Sequence, residues 1–341
     1  KWSTSKKGEF SETLLTDGEV TEILVNNPQH HKEAGFDKGW ASRFATYFDF
    51  AKELGFVYYW TNEQIEFSEI GLKLANSIQV DVDGDTILVS EPHPEFEQQA
   101  FLQALAKYQR NSPFIRVLND NVPLVLLLQV IKKLNDDPEY NGAGISKLEI
   151  PLILYWKDND SEALYQRIKQ LREEHSYNPS WEIVTEICRD EIMEGTDVER
   201  DDKSIMVDYP DEFIRKMRLT GLISLRGAGR FIDINKNEIE KVEYVLEHYS
   251  TYPTFETEKE YFNYMAETDE NLISLETKTL SIDENDKLLL KWVDTYSWNT
   301  IKSELKGLAK KSNSSDEVLK LLSHPIRLEF LTSLAIKSKH R

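Results

Sequence analysis

The chain has 341 residues and a formal net charge of −19, and it is 40% hydrophobic and 30% charged. This apolar content excludes a disordered protein, and the length predicts two or three domains. The longest apolar runs, at 123–131 and 150–156, are far shorter than the roughly 20 residues that cross a bilayer. The sequence therefore predicts a folded protein with no membrane span.

The first helix signal lies between Phe44 and Leu54, where apolar residues recur at helical spacing. Gly55 follows where a left-handed C-terminal cap is expected, so the helix is predicted to end there. The aromatic segment 56–60 and the alternating segment 65–69 then predict a hairpin, and a short helix comes next.

The same order recurs later in the chain. Phe213 and Met217 lie on one face of a predicted helix, and Gly221 is its cap. The segments LISLR (222–226) and RFIDI (230–234) predict two strands joined by a tip of the sequence GAG, and another helix follows.

A helix that ends in glycine, then a hairpin, then a helix is the outline of a winged-helix module. The predicted fold class is mainly α with small β-hairpins (α+β), as two tandem winged-helix-like subdomains followed by a helical linker. The predicted boundaries are 1–140, 141–252 and 253–341, and the turn-rich stretch 135–144 marks the first of them.

Helical patterns near 96–117 and 122–134 are expected to form the core of the first subdomain. Ser146 and Glu149 have the spacing of a capping box, which marks a new helix start. The single cysteine, Cys188, cannot form an internal disulfide, so we expect a reducing cytoplasmic location and no structural metal.

The two predicted hairpins differ in charge. The first carries Asn62, Glu63 and Glu66, whereas Arg226 and Arg230 flank the tip of the second. Arginine presents a planar cation that suits phosphate, and glycines let the main chain approach a surface. The alternative is a flexible tip whose arginines are merely solvated.

In a winged helix, one helix enters the major groove while the wing contacts phosphates. This assigns Arg215 and Arg218 to bases or phosphates, and the wing arginines to the DNA backbone. A second cationic site around Lys107 has the alternative that its charges only stabilise a helix C-terminus. The candidate DNA-binding residues are Arg215, Lys216, Arg218, Arg226, Arg230, Lys107, Arg110 and Arg43.

Catalytic patterns are weak. A PD-(D/E)xK nuclease site needs an acid on one strand and an acid plus lysine on the next, to hold a divalent metal. Glu304 and Lys306 have the spacing of the E-x-K part of this motif, but they lie in a helical pattern. Asp211 lies at a predicted helix start, where an acid is common, and no acidic strand is predicted before Glu276. No catalytic or metal-ligating residue is assigned, so the sequence by itself predicts binding rather than reaction.

The segment RLTGLISLRGAGRFIDIN resembles the DNA-recognition part of the AlwI family of type IIS restriction and nicking endonucleases. The resemblance extends over nearly the whole chain from about residue 40, and rests on the order of short motifs. The further motifs are EIGLKLAN, AKYQRNSPF, ISKLEIPLIL and HPIRLEFLTSLAI.

The resemblance implies two winged-helix-like recognition subdomains, a helical linker and a C-terminal nuclease domain of the PD-(D/E)xK type. That nuclease would begin where this chain stops, at Arg341, so no catalytic residue is carried over. The chain itself is expected to need no cofactor, while Mg²⁺ is expected for the nuclease.

The function implied by the resemblance is recognition of a short asymmetric site in double-stranded DNA, which positions a nuclease domain or subunit. Two other readings remain open. A winged-helix transcription or replication regulator would bind a palindrome as a dimer. A helical scaffold would use its arginine-rich hairpin to bind an acidic protein.

Overall fold

The computed structural model describes residues 47–59, 64–83, 86–90, 94–113, 119–140, 142–195, 201–251, 253–277 and 282–339. These residues form two compact units. Unit 1 contains the described residues up to Tyr108, with 112–113 and Pro253–Asp269. Unit 2 contains the remaining described residues.

Most of the regular structure is helical, as predicted. The named helices are, in chain order, α1 (Glu69–Asn76), α2 (Pro94–Lys107), α3 (Pro123–Asp136), α4 (Ile150–Tyr155), α5 (Ser161–His175), α6 (Trp181–Glu186), α7 (Tyr209–Arg218), α8 (Ile239–His248), α9 (Glu258–Ala266), α10 (Glu270–Ser274), α11 (Ile282–Thr295), α12 (Trp298–Ala309) and α13 (His324–Lys339).

The strands are short and pair antiparallel. They are β1 (Val57–Tyr58), β2 (Glu66–Phe67), β3 (Val80–Asp83), β4 (Thr86–Val89), β5 (Ile145–Ser146), β6 (Ile223–Arg226) and β7 (Phe231–Ile234). Two-residue and four-residue strands cannot form a core by themselves, so the helices supply most of the buried apolar surface.

Unit 1 confirms the first predicted helix and hairpin. Residues 47–53 are helical, and Gly55 has a φ of 73°. A Cβ at Gly55 would lie 2.4 Å from the Met265 Cβ, so only glycine fits this turn. Val57 pairs with Phe67 in the hairpin, and α1 follows directly.

A second hairpin in unit 1 is absent from the sequence prediction. Strand β3 pairs with β4 in the register Val80 with Val89 and Asp83 with Thr86. The alternation of valine and aspartate before an Asp-Gly dipeptide is a sequence signal for this hairpin.

The core of unit 2 is built around α3. Leu124, Leu127, Val130 and Ile131 of this helix are fully buried, and α3 packs against α4, α5, α8 and the sheet. We expected this helix in the core of the first subdomain. It lies instead with the residues that follow it, because its apolar surface has its partners in α4, α5 and α8.

The sheet of unit 2 has three strands in the order β5-β7-β6. Ile145 pairs with Ile232, and Ile223 pairs with Ile234. The hairpin β6-β7 confirms the sequence prediction, but β5 was not predicted. A Cβ at Gly144 would lie 2.4 Å from the Ile232 carbonyl oxygen, which explains the glycine before β5.

The predicted capping box at the start of the next helical segment is confirmed. The Ser146 backbone N–H donates to Glu149 Oε2 at 2.7 Å, and the Ser146 hydroxyl oxygen accepts from the Leu148 N–H at 3.3 Å. Ser146 thus ends β5 and caps the segment that leads into α4.

Helices α11, α12 and α13 of unit 2 share a buried apolar cluster. Its fully buried members include Ile301, Leu319, Leu331 and Leu334. The helical character predicted for this region is confirmed, and these helices pack on one another through the cluster. None of the described helices is long and apolar enough to cross a membrane.

Candidate nucleic-acid interface

Helix α7 is amphipathic. Phe213, Ile214 and Met217 are buried, while Arg215 and Arg218 are exposed. Pro210 lies in the first turn, where its missing N–H costs no hydrogen bond. The arginines therefore lie on the solvent side of a helix whose other side is held in the core.

The turn after α7 is fixed by side-chain hydrogen bonds. The Thr220 hydroxyl donates to the Met217 carbonyl at 2.6 Å and accepts from the Leu222 N–H at 3.1 Å. The Asn235 amide donates to the Gly221 carbonyl at 2.9 Å, and Gly221 has a φ of 75°. The helix is thereby connected rigidly to the hairpin β6-β7.

The acids of α7 are neutralised by nearby lysines. Asp211 pairs with Lys147 at 2.5 Å, and Glu212 pairs with Lys216 at 2.6 Å. In the part of the chain that the structure describes, the side chains of Arg215 and Arg218 have no hydrogen-bond or ion-pair partner. The uncompensated charge on α7 is therefore that of the two arginines.

The tip of the hairpin has three consecutive residues with positive φ: Gly227 at 58°, Ala228 at 57° and Gly229 at 83°. Such a tip lets the main chain approach a surface closely. Arg230 follows, and its exposed side chain has no partner among the described residues. Its carbonyl accepts from the Lys147 N–H at 2.8 Å, which anchors this side of the tip.

Arg226 differs from Arg230 because it lies beside a buried acid. Its Nη2 atom is 2.7 Å from Oδ2 of Asp233, a carboxylate that is only 2% exposed. Oδ1 of Asp233 accepts from the Asn135 amide at 2.7 Å and from the Ile234 N–H at 2.8 Å. Arg226 thus compensates the buried carboxylate and is only partly available to a ligand.

This ion pair was not predicted from the sequence, although the hairpin register indicates it. In the observed register Arg226 faces Phe231 and Asp233 faces Ser224, so the two charges are diagonal neighbours on one face of the hairpin. Diagonal neighbours are within reach of long side chains such as arginine. A hairpin loop of four residues, 227–230, gives this register, and with it the ion pair between Arg226 and Asp233 can be predicted.

Two further candidates do not add to this surface, and a third lies outside the described residues. Lys107 is buried, and its amino group donates to the carbonyls of Tyr264 at 3.0 Å and Glu267 at 2.6 Å. Burial lowers the pKa of Lys107. Arg110 donates to the Leu154 carbonyl at 2.7 Å, and Arg43 lies outside the described residues.

Two cations near the first predicted hairpin, Lys259 of α9 and Lys52, are paired with acids. Lys259 forms an ion pair with Glu66 of β2 and lies 4.8 Å from the Tyr58 ring centroid. Lys52 pairs with Glu258 at 2.8 Å. The tip residues Asn62 and Glu63 lie outside the described residues.

Comparison with protein families decides the relationship of the chain. The model of the AlwI restriction endonuclease family matches residues 52–337, which include α7, the hairpin and the C-terminal helices. The chain belongs to the AlwI restriction endonuclease family. The resemblance found from the motifs is therefore confirmed.

Among solved structures, the AlwI-family chain is similar to the BpuJ1 endonuclease binding domain, crystallised in complex with pyrene- and phenanthrene-modified DNA. The identity is 18% and the TM-score 0.42, over 73% of this chain and 83% of that one. No curated protein matches the chain.

Beneath the hairpin of this AlwI-family chain lies a buried ion pair that sequence reasoning did not find. Arg172 Nε and Nη2 each lie 2.7 Å from a Glu149 oxygen, and Nη2 also donates to the Gly144 carbonyl at 2.8 Å. The guanidinium carbon lies 4.6 Å from the Tyr140 ring centroid and 4.7 Å from the Tyr177 ring centroid. Since Glu149 also belongs to the capping box, the pair connects α5 to β5.

Groups suited to catalysis are not brought together in the described part of the AlwI-family chain. No cluster of three or more potential metal ligands occurs there. Glu304 and Lys306 lie in α12, as their helical pattern predicted, and Asp211 is paired with Lys147. Cys188 is buried, which raises the pKa of its thiol to about 12.

Proposed function

We propose that this AlwI-family protein binds double-stranded DNA through α7 and the hairpin β6-β7, and that it recognises a short asymmetric site. One observation carries the proposal: Arg215, Arg218 and Arg230 are exposed and unpaired in the described structure, while both acids of α7 are neutralised. A chain with a net charge of −19 thus presents concentrated positive charge at one surface.

The connections of unit 2 support a winged-helix role for this surface. Strand β5 precedes α4, α5 and α6, helix α7 precedes the hairpin, and β7 lies between β5 and β6. In a winged helix the helix before the hairpin enters the major groove and the hairpin lies along the backbone. We therefore assign Arg215 and Arg218 to the groove and Arg230 to a phosphate.

Lys216 and Arg226 have supporting roles in the proposal. Lys216 is paired with Glu212, and Arg226 compensates Asp233, so each offers only part of its charge to DNA. Lys107 and Arg110 are left out of the interface because main-chain carbonyls occupy them.

Within a type IIS or nicking endonuclease, DNA recognition by this chain would position a nuclease of the PD-(D/E)xK type that uses Mg²⁺. The nuclease would be a further domain or a separate subunit, and the enzyme would act in the cytoplasm. Family membership supports this assignment.

Selection from a pool of random 20-base-pair duplexes, in about 0.15 M salt, tests the proposal. We expect enrichment of a short asymmetric motif among the retained DNA. Enrichment of a palindrome would favour a dimeric regulator, and an absence of salt-sensitive binding would favour the protein scaffold.

Two variants separate the assigned roles. Arg230→Ala should weaken binding to all duplexes alike and make the slope of log K against log salt less steep by about 1. Arg218→Ala should weaken binding and also reduce the discrimination between bases by about 1–3 kcal/mol. Lys259→Ala is the matched control, because its charge is already paired with Glu66. Equal losses in Arg230→Ala and Lys259→Ala would contradict the assignment of the hairpin.

A further inference from the structure

The hairpin β6-β7 packs beside the C-terminal helices of the same unit. A Cβ at Gly227 would lie 3.6 Å from Phe231 and 4.0 Å from Cδ2 of Leu322. Leu322 belongs to the apolar cluster that also includes Leu289 and Trp292 of α11. The tip of the hairpin therefore lies close to the apolar cluster that α11 shares with α12 and α13.

This packing leaves both lysines of α11, Lys287 and Lys291, on the solvent side. Leu289, Trp292 and Val293 face the apolar cluster, while Lys291 is exposed. In the described part of the chain the Lys291 side chain has no hydrogen-bond or ion-pair partner. A helix whose apolar side is fixed in the cluster holds this charge at a defined position.

Lys236 lies directly after the hairpin. It follows β7 by two residues, in the turn where Asn235 bonds to Leu222 and to Gly221. Its exposed side chain also has no hydrogen-bond or ion-pair partner in the described structure.

The charges that act on Lys236 include those of Arg226 and Lys291. Partial desolvation lowers the pKa of Lys236, and the cations Arg226 and Lys291 lower it further. Asp233 acts in the opposite direction, but its carboxylate already lies against Arg226. Among the charged groups that act on Lys236, the two cations Arg226 and Lys291 therefore outnumber the one acid, Asp233.

We propose that Lys236 and Lys291 extend the DNA-binding surface from the hairpin onto α11, where they contact phosphates of the same duplex. The inference rests on the proposed DNA binding, and it assigns part of the C-terminal helical region to the interface. Binding of a polyanion relieves the repulsion between clustered cations and so contributes favourable electrostatic free energy. Each phosphate contact also releases condensed counterions from the DNA.

The test is the salt dependence of binding to a fluorescent 30-base-pair duplex of random sequence. Lys236→Gln/Lys291→Gln should lower the slope of log K against log salt by roughly 1.8, at about 0.9 per phosphate. Lys302→Gln is the control, because Lys302 is an exposed lysine of α12 that is absent from the neighbourhood of Lys236. It should leave the slope unchanged.

A second readout reports on the lysines in the native protein. DNA should protect Lys236 and Lys291, but not Lys302, from acetylation measured by mass spectrometry. An unchanged slope in the double variant, or a slope lowered equally by Lys302→Gln, would overturn the inference.

The failure of this inference can be distinguished from failure of the proposed function. If Arg230→Ala lowers the slope and the lysine variants do not, DNA binding stands and only the extension onto α11 is wrong. If the unmodified protein shows no salt-sensitive binding to the duplex, both proposals are wrong.

Discussion

The hairpins β1-β2 and β6-β7 share a local plan but differ in how their charges are used. Each follows a helix that ends at a glycine with positive φ, and each is followed by another helix. In the first, Glu66 is paired with Lys259 of α9, which also lies over the rings of Tyr58 and Phe262. In the second, Arg230 is exposed and has no partner in the described structure.

The difference shows that a count of cations does not identify a nucleic-acid surface. A paired lysine must lose its ion pair before it gains a phosphate, so little free energy results from the exchange. An exposed arginine without a partner loses only hydration. The charge that remains after local pairing is therefore the better guide to a ligand-binding surface.

The two hairpins also differ in what supports them, and the largest predicted effect tests this. Glu149→Ala leaves the Arg172 guanidinium buried without a counter-charge beside β5, and should cost about 3–5 kcal/mol of unfolding free energy. Lys259→Ala removes an exposed pair beside β2 and should cost less than about 1 kcal/mol. Urea unfolding measures both, and equal losses would remove the distinction.

The buried carboxylate of the second hairpin gives the next effect. Asp233→Ala leaves the Asn135 amide and the Ile234 N–H without their acceptor, so we expect a loss of about 1–3 kcal/mol in urea unfolding. The same variant releases Arg226 from its ion pair. At a temperature where the variant is folded, its DNA binding should be more salt-dependent than that of the parent, and a weaker salt dependence would contradict the role given to Arg226.

A smaller effect concerns the tip of the second hairpin. Ala228 has a φ of 57°, a region that costs a residue with a Cβ roughly 1–2 kcal/mol. Because glycine also raises the entropy of the unfolded chain, Ala228→Gly should stabilise the protein by only about 0.5–1 kcal/mol. Ala163→Gly, at an exposed position of α5, should have the opposite sign. Thermal unfolding of the two variants tests the strain at the tip.

The smallest expected effect is the pH dependence of stability that comes from Asp137, the residue after α3. The hydrogen bond from the Tyr165 hydroxyl to Asp137, with further bonds from the Glu139 N–H and Lys169, lowers the pKa of Asp137 to about 2. Because the folded pKa is lower than the unfolded one, this stabilisation is present above about pH 4 and is lost as the pH falls towards 2. NMR titration should show the low pKa, and Tyr165→Phe should raise it.

Local patterns predicted much of the fold. The glycines at 55 and 221 permit a backbone conformation that other residues rarely adopt, so they mark helix ends without reference to the rest of the chain. The Ser146–Glu149 capping box and the strands of β6-β7 likewise depend on residues close in sequence. The family was also identified from short motifs in order, and residues 52–337 match its model.

The candidate surface was only partly predictable. Arg215, Arg218 and Arg230 are exposed as expected, whereas Lys107 is buried against main-chain carbonyls of residues more than 150 positions away. No local pattern reveals such a partner. The same holds for Lys236 and Lys291, which are 55 positions apart in the sequence and share one electrostatic neighbourhood.

The sequence by itself determined the helix ends, the caps, the hairpin β6-β7 and the family, because each depends on residues that are near one another in the chain. Tertiary structure alone decided that α3 belongs to unit 2, that β5 adds a third strand, and which cations remain unpaired. The physical reason is that burial and ion pairing depend on which surfaces meet when the chain packs, and distant segments supply those surfaces.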